Sequence, residues 1–266
     1  MLSGYPSLGT LRLNEIGDLQ IQRLKRHLEG RSAKTKACVL SQLATILRTA
    51  ERWDEIAKAP HIELPATPET EMQFYDVEEW ERLIDGAKRA GPMVHAAVLL
   101  GGDAGLRRGE LVALEQADVG GGAIRVRRNE WEGKVGTPKG GKGRRVPLTQ
   151  RLAQAVDDIR HLRGKRLLWQ ADRSPVQVTT LQSWLEVACR RAGLPASRNL
   201  HKLRHTFCSH LAMGGVPMKA IQVWAGHADL KTTQRYMHLS PEGMDGMISV
   251  LERGAGVEQQ SKWGGK

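Results

Sequence analysis

Apolar residues recur every three or four positions along most of this chain, which is the spacing of amphipathic helices. In residues 11–59 the clearest such stripe follows Ser32, a residue type that caps helix N-termini. The stripe consists of Ala37, Leu40, Leu43, Ala44 and Leu47. Three prolines in residues 60–68 exclude a helix there, so residues 1–66 are predicted to form a helical unit that ends in an extended linker.

The next domain is predicted to span residues 67–253, and it begins with two helices. Asp76 is expected to cap the first helix, whose buried stripe consists of Trp80, Leu83, Ile84 and Ala87. The second helix covers residues 93–104 and ends at Gly105. The charged residues around the first helix are mostly acidic, which indicates a solvated helix face.

Between residues 118 and 148 apolar residues alternate with charged ones among glycines, a pattern typical of a small antiparallel sheet. The apolar members of this alternation are Ile124, Val126, Val135 and Val146. Nine lysines and arginines against two glutamates lie between residues 123 and 151. So basic a sheet could lie along a phosphate backbone, and it could equally be an exposed edge that charge protects from pairing.

From residue 149 onward the pattern is helical again. The predicted helices cover residues 149–163, 178–191, 199–213, 217–225, 229–239 and 241–252. Pro217 suits the first turn of its helix, Gly226 suits the C-terminal cap, and Asp229 can cap the next helix. Residues 254–266 are small and polar and are predicted to be disordered. The chain as a whole is therefore predicted to be mainly α with a small antiparallel β-sheet: a helical N-terminal segment followed by a mixed α+β domain.

Composition adds a preference for a polyanionic partner. Forty lysines and arginines against 29 acidic residues give a formal net charge of +11 and a pI near 9.9. Nucleic acid is the commonest polyanion that suits such a surplus, although a ribosome-associated or merely basic protein has the same composition.

Cysteine usage and the N-terminus favour a cytoplasmic protein. The three cysteines, Cys38, Cys189 and Cys208, are widely spaced and form no Cys-x-x-Cys pair, so neither a disulfide framework nor a zinc site is indicated. The first residues lack the pattern of a signal peptide, and the longest apolar stretch, residues 96–100, is far too short to cross a bilayer.

One predicted helix carries the first candidate site residues. Its core-facing arc contains Leu200, Leu203, Phe207 and Leu211. His201, Arg204 and His205 lie on the adjacent arc, clear of the core. Three groups at this spacing would repel one another if all were charged, so the cluster suits an anion. A basic surface that faces solvent is the alternative.

Two further residues follow at fixed separations. Gly226-His227 comes twenty-two residues after His205, and Tyr236 comes nine residues after His227. Each alone is more often structural, His227 as a turn residue and Tyr236 as a packing residue. In this order, however, the phenol is a candidate nucleophile for a DNA phosphodiester whose charge Arg204 would neutralise.

Two earlier segments complete the set. Arg107 follows the glycine turn at Gly105, where the start of a helix favours anions, and Glu110 could hold a neighbouring arginine or histidine by a charge-assisted hydrogen bond. In residues 138–148 Lys139 lies on a glycine-rich hairpin, and the spacing of a nucleotide-binding P-loop is missing. We expect these segments to converge into one positively charged cup with the phenol of Tyr236 at its rim.

In this order the five segments resemble the catalytic domain of the tyrosine recombinases, the phage integrase family, over roughly residues 70–250. The resemblance implies a site-specific DNA recombinase or integrase, which cleaves and rejoins strands through a 3′-phosphotyrosyl intermediate. It also implies that residues 1–66 are a partial core-binding domain that contacts DNA, because relatives usually carry a longer one.

The resemblance implies roles for the matching residues. Tyr236 would be the nucleophile. Arg107 and Arg204 would clamp the non-bridging oxygens of the phosphate. His201 and His227 would assist by hydrogen bonding and proton transfer.

Further residues would complete the machinery. Lys139 would protonate the departing 5′-oxygen, with Lys142 as the competing candidate, and Glu110 and His205 would support the pocket. The residues expected to bind DNA outside the pocket are Lys142, Arg144, Arg145, Arg127, Lys34 and Lys36.

The family chemistry implies no metal, ATP or other cofactor, and no carboxylate cluster or Cys/His spacing in the sequence suggests a metal site. The expected partner is double-stranded DNA in the cytoplasm, at the nucleoid. A homotetramer is expected on synapsed DNA because exchange between two duplexes needs four active sites. Two alternatives share the fold: a DNA-binding protein that has lost strand exchange, and a type IB topoisomerase-like enzyme that relaxes DNA.

Overall fold

The structure is a computed structural model, and it describes residues 8–67, 72–138, 141, 143–161 and 164–240. The predicted helix over residues 241–252 and the predicted disordered tail over 254–266 lie outside the described residues. The two candidate lysines of the glycine-rich hairpin, Lys139 and Lys142, also lie outside them.

The chain divides into two compact units, Met1–Glu71 and Met72–Lys266, shortly after the predicted boundary at residue 66. The helices of the described residues are α1 (Asp18–His27), α2 (Ala33–Arg52), α3 (Val77–Ala90), α4 (Pro92–Gly102), α5 (Arg108–Ala113), α6 (Gln150–Asp157), α7 (Val178–Arg191), α8 (Leu200–Met213), α9 (Met218–Ala225) and α10 (Leu230–Gln234). The strands there are β1 (Val119–Gly120), β2 (Ala123–Val126), β3 (Asn129–Trp131), β4 (Lys134–Gly136) and β5 (Arg144–Pro147). Short 3-10 helices cover Leu13–Glu15, Gln116–Asp118 and Met237–Leu239.

The first unit is built around the predicted capped helix. The Ser32 hydroxyl accepts a hydrogen bond from the Thr35 N–H at 3.2 Å, so α2 begins where the sequence indicated. Leu43 and Leu47 of α2 are fully buried in one apolar cluster with Leu24 of α1. The predicted helical character of this region is confirmed.

The core of the second unit surrounds α4, which is apolar on all sides, as is typical of a central buried helix. Helices α3, α6, α7 and α8 all contact it. Two glycines allow the close approach: a Cβ on Gly102 would lie 2.2 Å from the Trp80 ring, and one on Gly101 would lie 2.7 Å from Leu203. Close packing on α4 therefore positions α8, the helix that carries three candidate site residues.

The predicted antiparallel sheet consists of β1, β2 and β5, in the order β1–β2–β5. Ile124 pairs with Val146 and both are buried, whereas the paired residues Arg125 and Arg145 are exposed. Val135 does not belong to this sheet: it lies on β4 of a separate β3–β4 hairpin and is 50% exposed. The alternation of apolar and charged residues could not separate the sheet from the hairpin, because strands in either one alternate with a period of two residues.

The predicted helix over residues 149–163 is shorter in the structure and ends at Asp157. Beyond it the chain turns so that the carbonyl of His161 accepts a hydrogen bond from Gln116 Nε2 at 2.8 Å. The helix over residues 178–191 has the predicted bounds. None of the described helices combines the length and the apolar character needed to cross a lipid bilayer.

The predicted helix over residues 229–239 is split into α10 and a 3-10 turn, with Tyr236 between them. The N–H of Tyr236 donates to the carbonyl of Thr233, three residues back, at 3.0 Å, and this tighter bond ends the α-helix. Asp229 caps α10 as expected, since its side chain accepts from the Lys231 N–H at 3.0 Å.

Candidate active site

Four segments of the second unit bring the candidate residues together. They are α8, the N-terminus of α5, the turn after α9 and the turn after α10, and they carry His201, Arg204, His205, Arg107, His227 and Tyr236. Hydrogen bonds and ring contacts connect all four segments. Four of the five segments expected to converge therefore lie together, and Lys139 of the fifth lies outside the described residues.

Helix α8 presents its residues largely as its periodicity predicted. Leu203 and Phe207 are buried, His205 is half-buried and His201 is exposed. Arg204 differs from the expectation that it would lie clear of the core, since only 3% of it is exposed. The glycine turn before α5 covers it, and the carbonyl of this turn binds its side chain.

Arg204 has a donor without a partner. Its Nη1 donates to the Gly105 carbonyl at 2.6 Å, while its buried Nη2 has no hydrogen-bond partner among the described residues. Burial and the charge of Arg107 lower the pKa of Arg204 to about 10, so it stays a cation at neutral pH. A buried unsatisfied donor costs on the order of 1–3 kcal/mol, and an anion placed against Nη2 would remove that cost.

Glu110 contacts Arg107, as expected. The Arg107 N–H donates to one Glu110 oxygen at 2.8 Å and Arg107 Nη1 donates to the other at 3.0 Å. Arg107 Nη2 donates to the carbonyl of Gly226 at 2.6 Å, which connects the start of α5 to the His227 turn. Burial alone would raise the pKa of Glu110, but hydrogen bonds and charges of Arg144 and Arg107 outweigh it and lower the pKa, so Glu110 is ionised.

The three histidines of the pocket are neutral near pH 7. Desolvation, followed by the arginine charges, lowers the pKa of His227 to about 3. Desolvation, and then the neighbouring His201 and Arg235, lower the pKa of His205 to about 4. Desolvation and nearby arginines also lower the pKa of His201, whose ring meets that of His205 edge to face at a centroid distance of 5.3 Å.

The Tyr236 phenol is inside the pocket and not at its rim, since only 2% of the residue is exposed. Its hydroxyl lies 2.8 Å from His205 Nδ1, and its ring stacks on that of His227 at a centroid distance of 6.2 Å. Burial, with the Cys208 thiol as the second cause, raises the pKa of Tyr236. The phenol is therefore protonated, and it can donate a hydrogen bond to the neutral imidazole of His205 when the ring carries its hydrogen on Nε2.

This arrangement combines an anion site with a nucleophile and a proton acceptor. Arg204 offers a free buried donor, Tyr236 offers an oxygen nucleophile, and His205 can accept the phenolic proton. Within the described part of the chain, no group of three or more histidine, cysteine, aspartate or glutamate side chains is arranged to hold a metal ion.

Five of the six residues expected to bind DNA outside the pocket are described, and three of these five are exposed. In the second unit Arg127 and Arg145 are exposed, and Arg127 Nε lies 3.9 Å from an oxygen of Asp118. In the first unit Lys34 is exposed and Lys36 is half-buried. Contact with DNA stays a prediction for all four.

Arg144 does not have the surface position that was expected. Its side chain is 6% exposed and it pairs with buried Glu110. The sequence did contain a signal, because Arg144 stands two residues before Val146 and so faces the same, inner side of β5. No pattern indicated Cys208, which lies one helical turn after Arg204 and interacts with the Tyr236 hydroxyl.

The similarity of this chain to known proteins covers the part of the sequence that forms the pocket. The profile of the phage integrase family matches residues 73–242, a range that contains every pocket residue named above. The tyrosine recombinase XerC of Rhizobium meliloti (strain 1021) is 30% identical over 249 residues, which cover 88% of this chain and 76% of that protein. The tyrosine recombinase XerC of Rhodospirillum centenum is 30% identical over 266 residues, which cover 93% of this chain and 73% of that protein.

Solved structures of integrases share the fold. The Tn1549 transposon integrase in complex with circular intermediate DNA has a TM-score of 0.73 at 19% identity, with 92% of this chain and 88% of that chain covered. The lambda integrase dimer bound to a COC′ core site has a TM-score of 0.66 at 17% identity, with 87% and 83% covered. These similarities confirm the predicted mainly α fold with small antiparallel sheets. The chain belongs to the phage integrase family, as its motifs indicated.

Proposed function

We propose that this protein is a site-specific DNA recombinase that cleaves and rejoins the strands of double-stranded DNA through a 3′-phosphotyrosyl bond to Tyr236. One observation carries the proposal: the Tyr236 hydroxyl, its neutral imidazole partner and the unsatisfied N–H of Arg204 belong to one pocket. Relatives are named tyrosine recombinases, and two integrases of the same fold are bound to DNA, which supports DNA as the substrate.

Cleavage begins when the scissile phosphate binds against Arg204 and Arg107, because guanidinium groups suit phosphate oxygens in charge and in geometry. The Tyr236 oxygen attacks the phosphorus, and its proton passes to His205 Nδ1, which lies 2.8 Å from the hydroxyl oxygen. The bond between phosphorus and the 5′-oxygen breaks. The DNA 3′-phosphate is then joined to the tyrosine.

The departing 5′-oxygen needs a proton, because an alkoxide is a poor leaving group. We assign this transfer to Lys139, with Lys142 as the alternative, on the strength of the family resemblance. His201 and His227 are assigned hydrogen bonds to the bound phosphate, since a neutral imidazole retains one N–H donor.

Rejoining reverses these steps with the 5′-hydroxyl of another strand. The phosphotyrosyl diester keeps the bond energy of the phosphodiester, so this chemistry needs no ATP. Exchange between two duplexes uses four active sites, and we therefore propose a homotetramer on synapsed DNA, at the nucleoid in the cytoplasm. Residues 67–253 would form the catalytic domain, and residues 1–66 would contact DNA as a shortened core-binding domain.

A nicked suicide duplex tests the proposal. The duplex carries a sequence that the protein itself selects from a randomised pool, and cleavage beside the nick releases a short fragment, so the covalent adduct accumulates. We expect a protein–DNA band that resists detergent and that is missing with Tyr236→Phe, which keeps the ring and removes only the hydroxyl.

The other outcomes identify the alternatives. Salt-sensitive DNA binding without an adduct would instead support a DNA-binding protein that has lost strand exchange. Relaxation of any supercoiled plasmid, whatever its sequence, would support a type IB topoisomerase-like enzyme. An adduct that survives Tyr236→Phe would contradict the assignment of the nucleophile.

A further inference from the structure

The proposed steps of strand cleavage and rejoining assign no role to Arg144, although its side chain makes several close contacts. Each of its three guanidinium nitrogens donates: Nε to the Trp224 carbonyl, and Nη1 and Nη2 to the two carboxylate oxygens of Glu110, all at 2.7 Å. Its side chain is 6% exposed, and that of Glu110 is fully buried. Bidentate arginine–carboxylate pairs are strong and directional, so this one holds both side chains in a single arrangement.

These contacts form a closed loop of hydrogen bonds around the pocket. Glu110 accepts from Arg144 and also from Arg107, through the backbone N–H and Nη1 of Arg107. Both arginines then donate to the turn before His227, Arg107 to the Gly226 carbonyl and Arg144 to the Trp224 carbonyl. One carboxylate therefore links β5, the start of α5 and the end of α9.

The turn before His227 also packs directly on Arg144. Gly226 adopts the left-handed conformation, with φ 65°, and a Cβ added to it would lie 2.8 Å from Cδ of Arg144. The Arg144 side chain therefore contacts this turn along its aliphatic part as well as through Nε. His227 directly follows this turn in the chain, so Arg144 is in a position to influence where His227 lies.

We propose that Arg144 is a positioning residue for strand cleavage, which acts through Glu110 and the Trp224–Gly226 turn to hold Arg107 and His227 in place and does not contact a DNA phosphate. This inference rests on the proposed function. A shift of about 1 Å at a reacting group can lower a rate about 10²-fold, so a loss of that size is expected when Arg144 is removed.

A double-mutant cycle on the rate of adduct formation is the first test, in single turnover with the nicked duplex described above. We expect Arg144→Met and Glu110→Gln each to lower the rate constant about 10²-fold. The double variant should be no slower than either single variant, because residues that act as one unit are not additive. Arg160→Met removes an arginine that is half exposed and paired with Asp157, and as the matched control it should cleave at the wild-type rate.

The salt dependence of DNA binding separates positioning from phosphate contact. Loss of one phosphate contact reduces the slope of log K against log salt by about one. We expect Arg144→Met to bind the selected duplex with the wild-type slope. Arg144→Lys keeps the charge but cannot bind both Glu110 oxygens and Trp224 in the same geometry, so it should also bind with the wild-type slope and cleave slowly.

Three results would overturn the inference: additive losses in the cycle, a slope reduced by about one, or wild-type cleavage by Arg144→Lys. If Arg144→Met does not fold, Arg144→Lys still tests the inference, because wild-type cleavage by this variant would overturn the positioning role. A wild-type protein that forms no adduct would overturn the proposed function and this inference with it, whereas a wild-type adduct that Arg144→Lys forms equally fast would overturn this inference alone.

Discussion

The hydroxyl of Tyr236 and the imidazole of His205 form a donor–acceptor pair 2.8 Å apart. We expect His205→Ala to slow adduct formation by about 10²-fold or more, because a positioned general base contributes roughly 10²–10⁴ in rate. Single-turnover cleavage of the nicked duplex measures the effect. The control is His61→Ala, which removes an exposed imidazole from the first unit, and an equal rate for both variants would remove His205 from the mechanism.

The same pair predicts how cleavage depends on pH. His205 can accept a proton only when it is neutral, and its pKa is lowered to about 4 by desolvation and by the neighbouring His201 and Arg235. The lowered pKa keeps the neutral form dominant from neutral pH down to about 4. The rate constant for adduct formation should therefore be level at neutral and mildly acidic pH and decrease as the pH falls through about 4. A decrease centred near 6.5, the value of an unperturbed histidine, would contradict the assignment.

At the scale of elements, α4 is the helix on which the second unit is packed. Gly102→Ala would place a methyl group 2.2 Å from the Trp80 ring, and overpacking of this kind costs about 1–3 kcal/mol. We expect a lower free energy of unfolding in denaturant titrations, while Gly120→Ala, where nothing lies within 4 Å of the added Cβ, should be close to wild type. Equal stability of the two variants would show that α3 can move away from α4 at little cost.

The starts of the helices were predictable from sequence because caps are local. Ser32 and Asp229 lie next to the helices they cap, and Asp76 accepts from the Glu79 N–H at 2.7 Å, only three residues away. The order and spacing of the family motifs likewise indicated most of the pocket.

The structural features that the sequence did not predict depend on contacts between residues that are far apart in the chain. After α6 the chain turns, and the carbonyl of His161 binds Gln116, which is 45 residues away in the sequence. The buried Arg144 pairs with Glu110, which is 34 residues away. The burial of Tyr236 depends in the same way on rings from two other segments. No local pattern reports such contacts, although strand alternation does place Arg144 on the inner face of β5.

At the scale of the whole molecule, the formal net charge of +11 predicts DNA binding that weakens steeply with salt. A protein that makes six to ten phosphate contacts loses about 10³–10⁵ in affinity between about 50 and 200 mM salt. We expect a loss in this range for the selected duplex, measured by fluorescence anisotropy with the Tyr236→Phe variant, which is expected not to cleave the DNA. An affinity that changes less than about tenfold would show that the basic surplus does not face the DNA backbone.

The closed loop of hydrogen bonds around Glu110 also contributes to the net charge of the pocket. Among the described residues, one ionised carboxylate meets three guanidinium groups, those of Arg107, Arg144 and Arg204, and the lowered pKa values of the histidines leave their rings uncharged. Two positive charges therefore stay uncompensated. A phosphodiester at rest brings only one negative charge, and the second develops as a fifth oxygen joins the phosphorus. Because the negative charge on the phosphorus centre increases in that pentacoordinate transition state, we expect the arginine charges to stabilise the phosphorane more than the intact strand.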